Sequence, residues 1–235
     1  MVTYMAVTWT VVIPVKVLAQ AKSRLGVLAG PRRPELAMAM AMDTASAVLG
    51  CPDVARVLVV TSDAAVTGQL SSLGAIIVAE PADPRGTHVV SARGPAILDG
   101  RLNAALAHGA LVAANQWPGT GIAALSADLP ALRPAELSRA LRAAAALPPG
   151  RAAFIADEQA VGTTMYAAAP GTDFRPMFGG ASRRRHAASG ACELLLDGIP
   201  GLRRDVDTPD DLRTAVDLGA GPRTLAVAEE LLDVA

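Results

Sequence analysis

The chain has 235 residues, of which 51 % are hydrophobic, 18 % charged and 3 % aromatic, and its formal net charge at pH 7 is −1. A near-neutral chain with so few aromatic side chains is not typical of a nucleic-acid-binding groove. No apolar run is long enough to cross a membrane, no secretory signal is evident, and the two cysteines, Cys51 and Cys192, lack metal-ligand spacing. We therefore expect a cytoplasmic enzyme without a membrane or nucleic-acid partner.

Strand and helix patterns alternate along most of the chain. Short β-rich apolar runs predict strands, and longer runs of helix-forming residues, several flanked by Pro or by capping residues, predict helices. The predicted strands are 9–15, 56–61, 75–79 and 121–125, and the predicted helices are 34–49, 64–73, 102–115 and 134–147. This alternation predicts an α/β fold with a doubly wound, mostly parallel sheet, and we expect residues 1–235 to form a single domain.

Two stretches of the chain are less regular. Strands are predicted over 152–156 and 162–168, whereas 174–186 is rich in glycine and arginine and is predicted to be a loop. The segment 80–100 contains several Pro and Gly residues and is too long for an ordinary connection. We therefore expect a mobile loop or flap at 80–100.

A lone carboxylate, Asp128, follows the apolar run 121–125 and precedes Pro130. Ligands bind at the carboxyl ends of strands in open α/β sheets, and a carboxylate there suits a divalent cation held against phosphate oxygens. Asp128 is therefore a candidate metal ligand; the alternative is an aspartate that only opens the turn before the next helix.

Three cations, Lys16, Lys22 and Arg24, follow the first predicted strand. At the carboxyl edge of the sheet they would neutralise a polyphosphate, and Arg would bind it bidentately. The alternative is a solvated basic loop. The chain contains neither a GxGxxG fingerprint nor a P-loop motif, so neither of those phosphate-binding designs is supported.

Four carboxylates lie close together between residues 205 and 211. Asp207 or Thr208 is expected to cap a helix that starts at Pro209, with the acids at 210 and 211 in its first turn. Asp205 and Asp207 precede that cap. A second metal-facing carboxylate is expected there, because a two-carboxylate metal site joins residues that are remote in sequence.

Two segments of small residues, 162–164 and 178–182, offer backbone N–H groups and hydroxyls without bulk. Closely spaced N–H groups form concavities that suit a small anion. The neighbouring run 183–186 either adds cations to such a site or is a solvated basic loop, and His108 is expected to be a structural residue of a helix. The chain shows no GxSxG motif and no Cys/His nucleophile pair.

In their order and spacing these motifs resemble the guanylyltransferases of deazaflavin coenzyme F-420 biosynthesis, which act on phosphoenolpyruvate or 2-phospho-L-lactate. The resemblance covers nearly the whole chain and rests on residues 13–16, 21–25, 102–106, 127–130, 162–164, 178–186 and 205–208. It implies a Rossmann-like nucleotidyltransferase fold of the nucleotide-diphospho-sugar transferase type. It also implies the transfer of GMP from GTP to phosphoenolpyruvate, with release of pyrophosphate.

The resemblance further implies roles for individual residues on the nucleotide side. Asp128 would bind Mg²⁺, with Asp207 as a second ligand and Asp205 as the alternative to it. The remaining contacts to GTP would come from a basic and polar set, in which the cations also take part in catalysis: Lys16, Lys22, Arg24 and Asn103.

On the acceptor side, the resemblance implies that Thr163, Gly179 and Ser182 hold phosphoenolpyruvate. The segment before Thr163 is less rich in glycine than the family pattern, which leaves 2-phospho-L-lactate and 3-phosphoglycerate as alternatives. A labile product suggests hand-over to the next transferase of the pathway.

Two further interpretations remain open. One is a molybdopterin or sugar nucleotidyltransferase of the same fold, although such enzymes usually carry a glycine-rich loop after the first strand, which is lacking here before Gly26. The other is a non-catalytic nucleotide-binding regulator, which would have no use for the paired carboxylates.

Overall fold

The computed structural model describes residues 7–16, 18, 25–81, 89–91, 94–96 and 100–232. The strands are β1 (Trp9–Pro14), β2 (Val54–Thr61), β3 (Ile76–Ala79), β4 (Val89–Ser91), β5 (Gly94–Ala96), β6 (Gly121–Leu125), β7 (Ala153–Ala156), β8 (Thr163–Ala168) and β9 (Cys192–Glu193). The helices are α1 (Gly26–Ala29), α2 (Arg33–Leu49), α3 (Ala64–Ser72), α4 (Gly100–Gln116), α5 (Pro134–Ala145), α6 (Ser182–Ala188), α7 (Pro200–Arg203), α8 (Pro209–Asp217) and α9 (Pro222–Leu232).

A mixed seven-stranded sheet forms the centre of the fold, in the order β3-β2-β1-β6-β8-β7-β9. β1, β2, β3 and β6 are parallel, whereas β8 runs antiparallel to both of its neighbours, β6 and β7. β1 is buried on both faces, because Val11 and Ile13 belong to one core and Val12 to the other. Burial on both faces explains why this strand has no polar alternation. The predicted α/β fold with a mostly parallel mixed sheet is confirmed.

Helices cover both faces of the sheet. Apolar side chains of α2, α3 and α5 pack on one face, and those of α4 pack on the other. α4 comes unusually close to the sheet at Gly109, where a Cβ would lie 2.6 Å from Val12 Cγ1 and 2.8 Å from Val60 Cγ2. α8 and α9 form a separate apolar cluster with the outer side of α2. None of the described helices is long and apolar enough to cross a membrane.

The prediction of a continuous loop over 174–186 was wrong at its end, because α6 begins at Ser182. Gly179 and Gly180 have φ angles of 96° and 45°, so a right-handed helix cannot start before them. The Arg and Ala residues that follow are good helix formers, which explains why the helix begins where it does.

The segment 80–100 and the cap of α8 were two further subjects of prediction. Within the segment 80–100, β4 and β5 pair as an antiparallel hairpin, and residues 82–88, 92–93 and 97–99 lie outside the described part of the chain. The mobility of this segment and the single-domain organisation stay predictions. Of the two candidate caps for α8, the structure shows Thr208, which forms a capping box with Asp211.

Candidate active site

A cleft of about 890 Å³ opens at the edge of the sheet where β1 and β6 end. Adjacent parallel strands end at the same edge, which brings the residues after β1 and after β6 together. Lys16 and Asp128 both line this cleft, as do residues at the start of β8 and in the segments 178–182 and 205–211. The candidate residues that the structure describes are therefore grouped around one cavity, apart from Asn103.

Asp128 lies beside the carboxylate-bearing segment that precedes α8. The N–H of Val206 donates to the backbone oxygen of Asp128 at 3.1 Å. Val206 is itself fully buried, and its two neighbours, Asp205 and Asp207, line the cleft together with Asp128. A backbone hydrogen bond thus joins the two segments that supply the candidate metal ligands.

The position of Asp128 is further fixed from α2. Thr44 is buried in this helix, donates its hydroxyl to Met40 O at 2.8 Å and accepts from the N–H of Leu129 at 3.0 Å. The main chain on the carboxyl side of Asp128 is therefore held by a buried side chain of the neighbouring layer, which favours a preorganised carboxylate.

The donor chemistry of this edge fits Mg²⁺. Among the residues that the structure describes, no three or more His, Cys, Asp or Glu side chains are grouped as a metal-binding cluster. Mg²⁺ does not need such a cluster, because one or two protein carboxylates with water and substrate phosphates complete its shell. Asp128 with Asp207 would supply two carboxylates, and Asp205 lines the same cleft.

The cationic side of the cleft is described only in part. Lys16 lies two residues after the end of β1 and is exposed at the cleft, whereas Lys22 and Arg24 lie outside the described residues. Their predicted contacts with GTP therefore stay predictions. An ammonium group at the position of Lys16 offsets negative charge at the same edge that carries Asp128.

Asp63 holds the beginning of the basic segment in place. Its Oδ2 accepts from the N–H of Leu18 at 3.0 Å, while its Oδ1 caps α3 through Ala65 N and Val66 N. The Leu18 N–H, followed by these helix N–H groups, lowers the pKa of Asp63. Asp63 follows β2, which is parallel to β1, so it lies at the same edge of the sheet as the residues after β1.

Replacing Asp63 by Asn should separate these two tasks. The single amide oxygen of Asn can still cap α3, because Asn is as good a cap as Asp, but its NH₂ would face the Leu18 N–H. Because the resemblance assigns the segment after β1 to GTP, we expect Asp63→Asn to raise the KM for GTP about 5- to 10-fold with little change in stability. Asp63→Ala should lose about 1 kcal/mol of unfolding free energy in addition.

Urea unfolding and initial-rate kinetics of the two variants test this expectation. An Asn variant with wild-type GTP kinetics would show that the Leu18 contact has no part in nucleotide binding.

Thr163 occupies the first position of β8, beside a distortion of the sheet. Pairing with β7 joins Ile155 to Met165 and Ala156 to Thr163, so Thr164 is left over as a bulge. Bulges of this kind redirect side chains next to functional sites. The carbonyl of Thr164 accepts from Ser126 N at 2.9 Å, which connects the start of β8 to the segment that carries Asp128.

The turn before Thr163 is held by a buried carboxylate that also lines the cleft. Asp157 accepts from the N–H of Val161 at 2.8 Å and from that of Gly162 at 2.6 Å. A Cβ on Gly162 would overlap the Asp157 carboxylate. Glycine at 162 thus allows the turn to close on Asp157.

The segment that carries Gly179 is held by Asn103 of α4. Phe178 N donates to Asn103 Oδ1 at 2.8 Å, and Asn103 Nδ2 donates to Phe178 O at 3.1 Å. Asn103 is buried, and its neighbours Leu102 and Leu106 line the cleft. The structure thus gives Asn103 a positioning role that sequence reasoning missed; its contact with the nucleotide stays a prediction.

The basic run 183–186 contributes less positive charge to the cleft than its composition suggests. Arg183 pairs with Glu193 at 2.9 Å, and Arg185 donates to the backbone carbonyls of residues 177–179. His186 is fully buried, and burial, followed by the charge of Arg185, lowers its pKa to about 4. Its imidazole is therefore neutral at physiological pH.

Comparison with solved structures supports the fold. A protein described as a nucleotide-diphospho-sugar transferase from Desulfovibrio desulfuricans superimposes with a TM-score of 0.65 at 15 % identity, over 94 % of each chain. A nucleotidyl transferase from Methanothermobacter thermautotrophicus superimposes with a TM-score of 0.57 at 17 % identity, over 90 % of this chain and 97 % of that one. At such low identity, these similarities establish the nucleotidyltransferase fold alone.

Sequence comparison is more specific. The chain is 52 % identical over 224 residues to the phosphoenolpyruvate guanylyltransferase of Thermomonospora curvata, which covers 95 % of this chain and 90 % of that protein. It is also 52 % identical over 225 residues to the phosphoenolpyruvate guanylyltransferase of Streptomyces coelicolor, over 95 % of this chain and 97 % of that protein. No family model matches the chain. With full-length relatives at this identity, the chain belongs to the phosphoenolpyruvate guanylyltransferase family.

Proposed function

We propose that this chain transfers GMP from GTP to phosphoenolpyruvate. The observation that carries the proposal is the cleft that Asp128 and Lys16 line together with Thr163, Gly179 and Ser182. The 52 % identity to phosphoenolpyruvate guanylyltransferases over 95 % of the chain supports this acceptor.

In the proposed reaction, a phosphate oxygen of phosphoenolpyruvate attacks the α-phosphorus of GTP in line. The bond from the α-phosphorus to the oxygen bridging to the β-phosphorus breaks, and pyrophosphate leaves with that oxygen. The attacking phosphate is already ionised at neutral pH, so no side chain has to remove a proton. The work of the protein is therefore positioning and charge neutralisation.

Residues of the cleft supply these functions. Mg²⁺ held by Asp128 and Asp207 would neutralise phosphate charge at the reacting group. The ammonium of Lys16 offsets the negative charge that develops on the leaving pyrophosphate, and we assign the same task to Lys22 and Arg24.

On the acceptor side, the Thr163 and Ser182 hydroxyls would donate to the anionic groups of phosphoenolpyruvate. Gly179 would allow the main chain to approach it closely, since a glycine presents no side chain.

The proposal includes a biological setting. We place the reaction in the cytoplasm and in coenzyme F-420 biosynthesis, and we propose that the labile diphosphate product passes directly to the next transferase of that pathway.

An acceptor panel tests the proposed function. The protein is incubated with GTP, Mg²⁺ and one of phosphoenolpyruvate, 2-phospho-L-lactate, 3-phosphoglycerate, a sugar phosphate or a pterin, with pyrophosphate release and product mass as readouts. We expect release with phosphoenolpyruvate and a product mass equal to that acid plus GMP less water. Release only with a sugar phosphate or a pterin would contradict the proposal. GTP binding without release for any acceptor would favour a nucleotide-binding regulator.

A further inference from the structure

We propose that His186 is a positioning residue that fixes the Thr163 hydroxyl as a hydrogen-bond donor toward the anionic acceptor. The inference rests on the proposed function, because it assigns the acceptor to the edge of the cleft that Thr163 lines. His186 lies below that edge, buried on the face of the sheet covered by α4 and α6. It would act through Thr163 rather than by touching the substrate.

The hydrogen bonds of the ring determine its tautomer. The backbone N–H of Met177 donates to His186 Nε2 at 2.7 Å, so Nε2 is the unprotonated nitrogen. A neutral imidazole carries its one proton on the other nitrogen. Nδ1 therefore donates to Thr163 Oγ1, which lies 3.0 Å away.

This tautomer decides what the Thr163 hydroxyl can do. A hydroxyl has a single proton, and an oxygen that already accepts from Nδ1–H retains that proton for a bond of its own. A phosphate or carboxylate oxygen only accepts hydrogen bonds. A Thr163 hydroxyl that is fixed as a hydrogen-bond donor therefore favours the binding of an anionic substrate in the cleft.

Aromatic packing keeps the ring in this orientation. The ring of Tyr166 stacks on His186 at 4.8 Å between centroids, and those of Phe154 and Phe178 lie at 5.5 and 5.6 Å. With its plane fixed, the ring joins the first residue of β8 to Met177, two residues before Gly179. The buried His186 side chain thus sets the position of Thr163 relative to the segment that carries Gly179.

A double-mutant cycle tests the coupling. Thr163→Val removes the hydroxyl at nearly constant volume, and His186→Phe keeps an aromatic ring but removes both hydrogen bonds. We expect each single variant to raise the KM for phosphoenolpyruvate about tenfold, while the KM for GTP changes less than about twofold. The double variant should have a KM for phosphoenolpyruvate no higher than that of His186→Phe, because both substitutions remove the same interaction. Thr163→Ser keeps a hydroxyl, so its KM for phosphoenolpyruvate should stay within about threefold of the wild-type value.

His108, which the proposed mechanism does not use, provides a matched control. His108→Phe, the same substitution at a histidine of α4, should leave both KM values within about twofold. Additive effects of the two single variants, or an equal rise of both KM values in a folded His186→Phe protein, would overturn the inference.

A measurement on the wild-type protein does not depend on any variant folding. In ¹⁵N-histidine NMR, His186 should show a protonated Nδ1 and an unprotonated Nε2 near pH 7, and the opposite tautomer would overturn the inference. A wild-type protein that does not turn over phosphoenolpyruvate would contradict the proposed function instead, while the tautomer would still be decided.

Discussion

Replacing Asp128 by Asn is expected to lower kcat/KM for GMP transfer by at least about 100-fold. The substitution preserves the size of the side chain and removes its negative charge. The bonds that place this segment, Val206 N to Asp128 O and Leu129 N to Thr44 Oγ1, do not involve the carboxylate, so the local fold should persist. Pyrophosphate release over a range of Mg²⁺ concentrations gives the activity, and thermal unfolding confirms that the variant is folded.

A matched control distinguishes this carboxylate from any other. The side chain of Asp210 in α8 is 91 % exposed and pairs with Arg213 at 2.8 Å, outside the cleft lining. Asp210→Asn removes the same charge and should leave the rate within about twofold. A folded Asp128→Asn enzyme with nearly full turnover would remove Asp128 from the proposed mechanism.

The same assay distinguishes the other two acids. We expect Asp207→Asn to lower activity more than Asp205→Asn, and the reverse order would identify Asp205 as the second ligand.

Replacing Gly201 by Ala is expected to lower the free energy of unfolding by about 3 kcal/mol. Gly201 lies in α7. A Cβ at this position would overlap the carbonyl oxygen of Ala131 and would lie 2.7 Å from the carbonyl carbon of Ala131 and 2.9 Å from Glu136 Oε2. The carbonyl belongs to the main chain and cannot rotate away as a flexible side chain would. Urea unfolding at constant pH measures the change.

The buried carboxylate beside Gly201 adds to this cost. Glu136 accepts from Gly201 N at 3.4 Å and from Leu202 N at 2.8 Å, and burial raises its pKa. Displacing α7 would weaken both bonds in a site that solvent does not reach, and unsatisfied buried acceptors are costly.

Gly68→Ala is the control, and we expect it to raise the free energy of unfolding rather than lower it. Gly68 is exposed in α3, and no atom lies within 4 Å of a Cβ built on it. Removing glycine from a helix interior should therefore stabilise the protein by about 0.5–1 kcal/mol. Equal unfolding midpoints for Gly201→Ala and wild type would contradict the close approach of α7 to Ala131.

Much of the edge that carries Lys16 and Asp128 could be predicted from sequence, because it follows from local pattern and a general rule of parallel sheets. Buried strands appear as apolar runs, and the residues after neighbouring strands meet at one edge. Lys16 and Asp128 could therefore be placed together. The position of Asp207 followed from recognising the helix start just after it.

The acceptor edge could be predicted only in part, since its support comes from contacts remote in sequence. Asn103 holds Phe178, which is 75 positions further along the chain. His186 follows three arginines, so the sequence indicated either extra cations for the site or a solvated basic loop. Its environment is instead set by Tyr166 of β8 and Phe154 of β7. No periodicity in the chain reveals such partners.

The reversed direction of β8 has a consequence for how this enzyme could diversify. The carboxyl end of β6 meets the amino end of β8, so the proposed sites for the two substrates lie on strands of opposite direction that share the contact between Ser126 N and Thr164 O. We therefore expect residues 157–163 and 177–182 to tolerate change while the proposed triphosphate site at Lys16 and Asp128 keeps its geometry. Exchanging these two stretches between homologues offers a direct way to retarget the enzyme to another small phosphorylated acid.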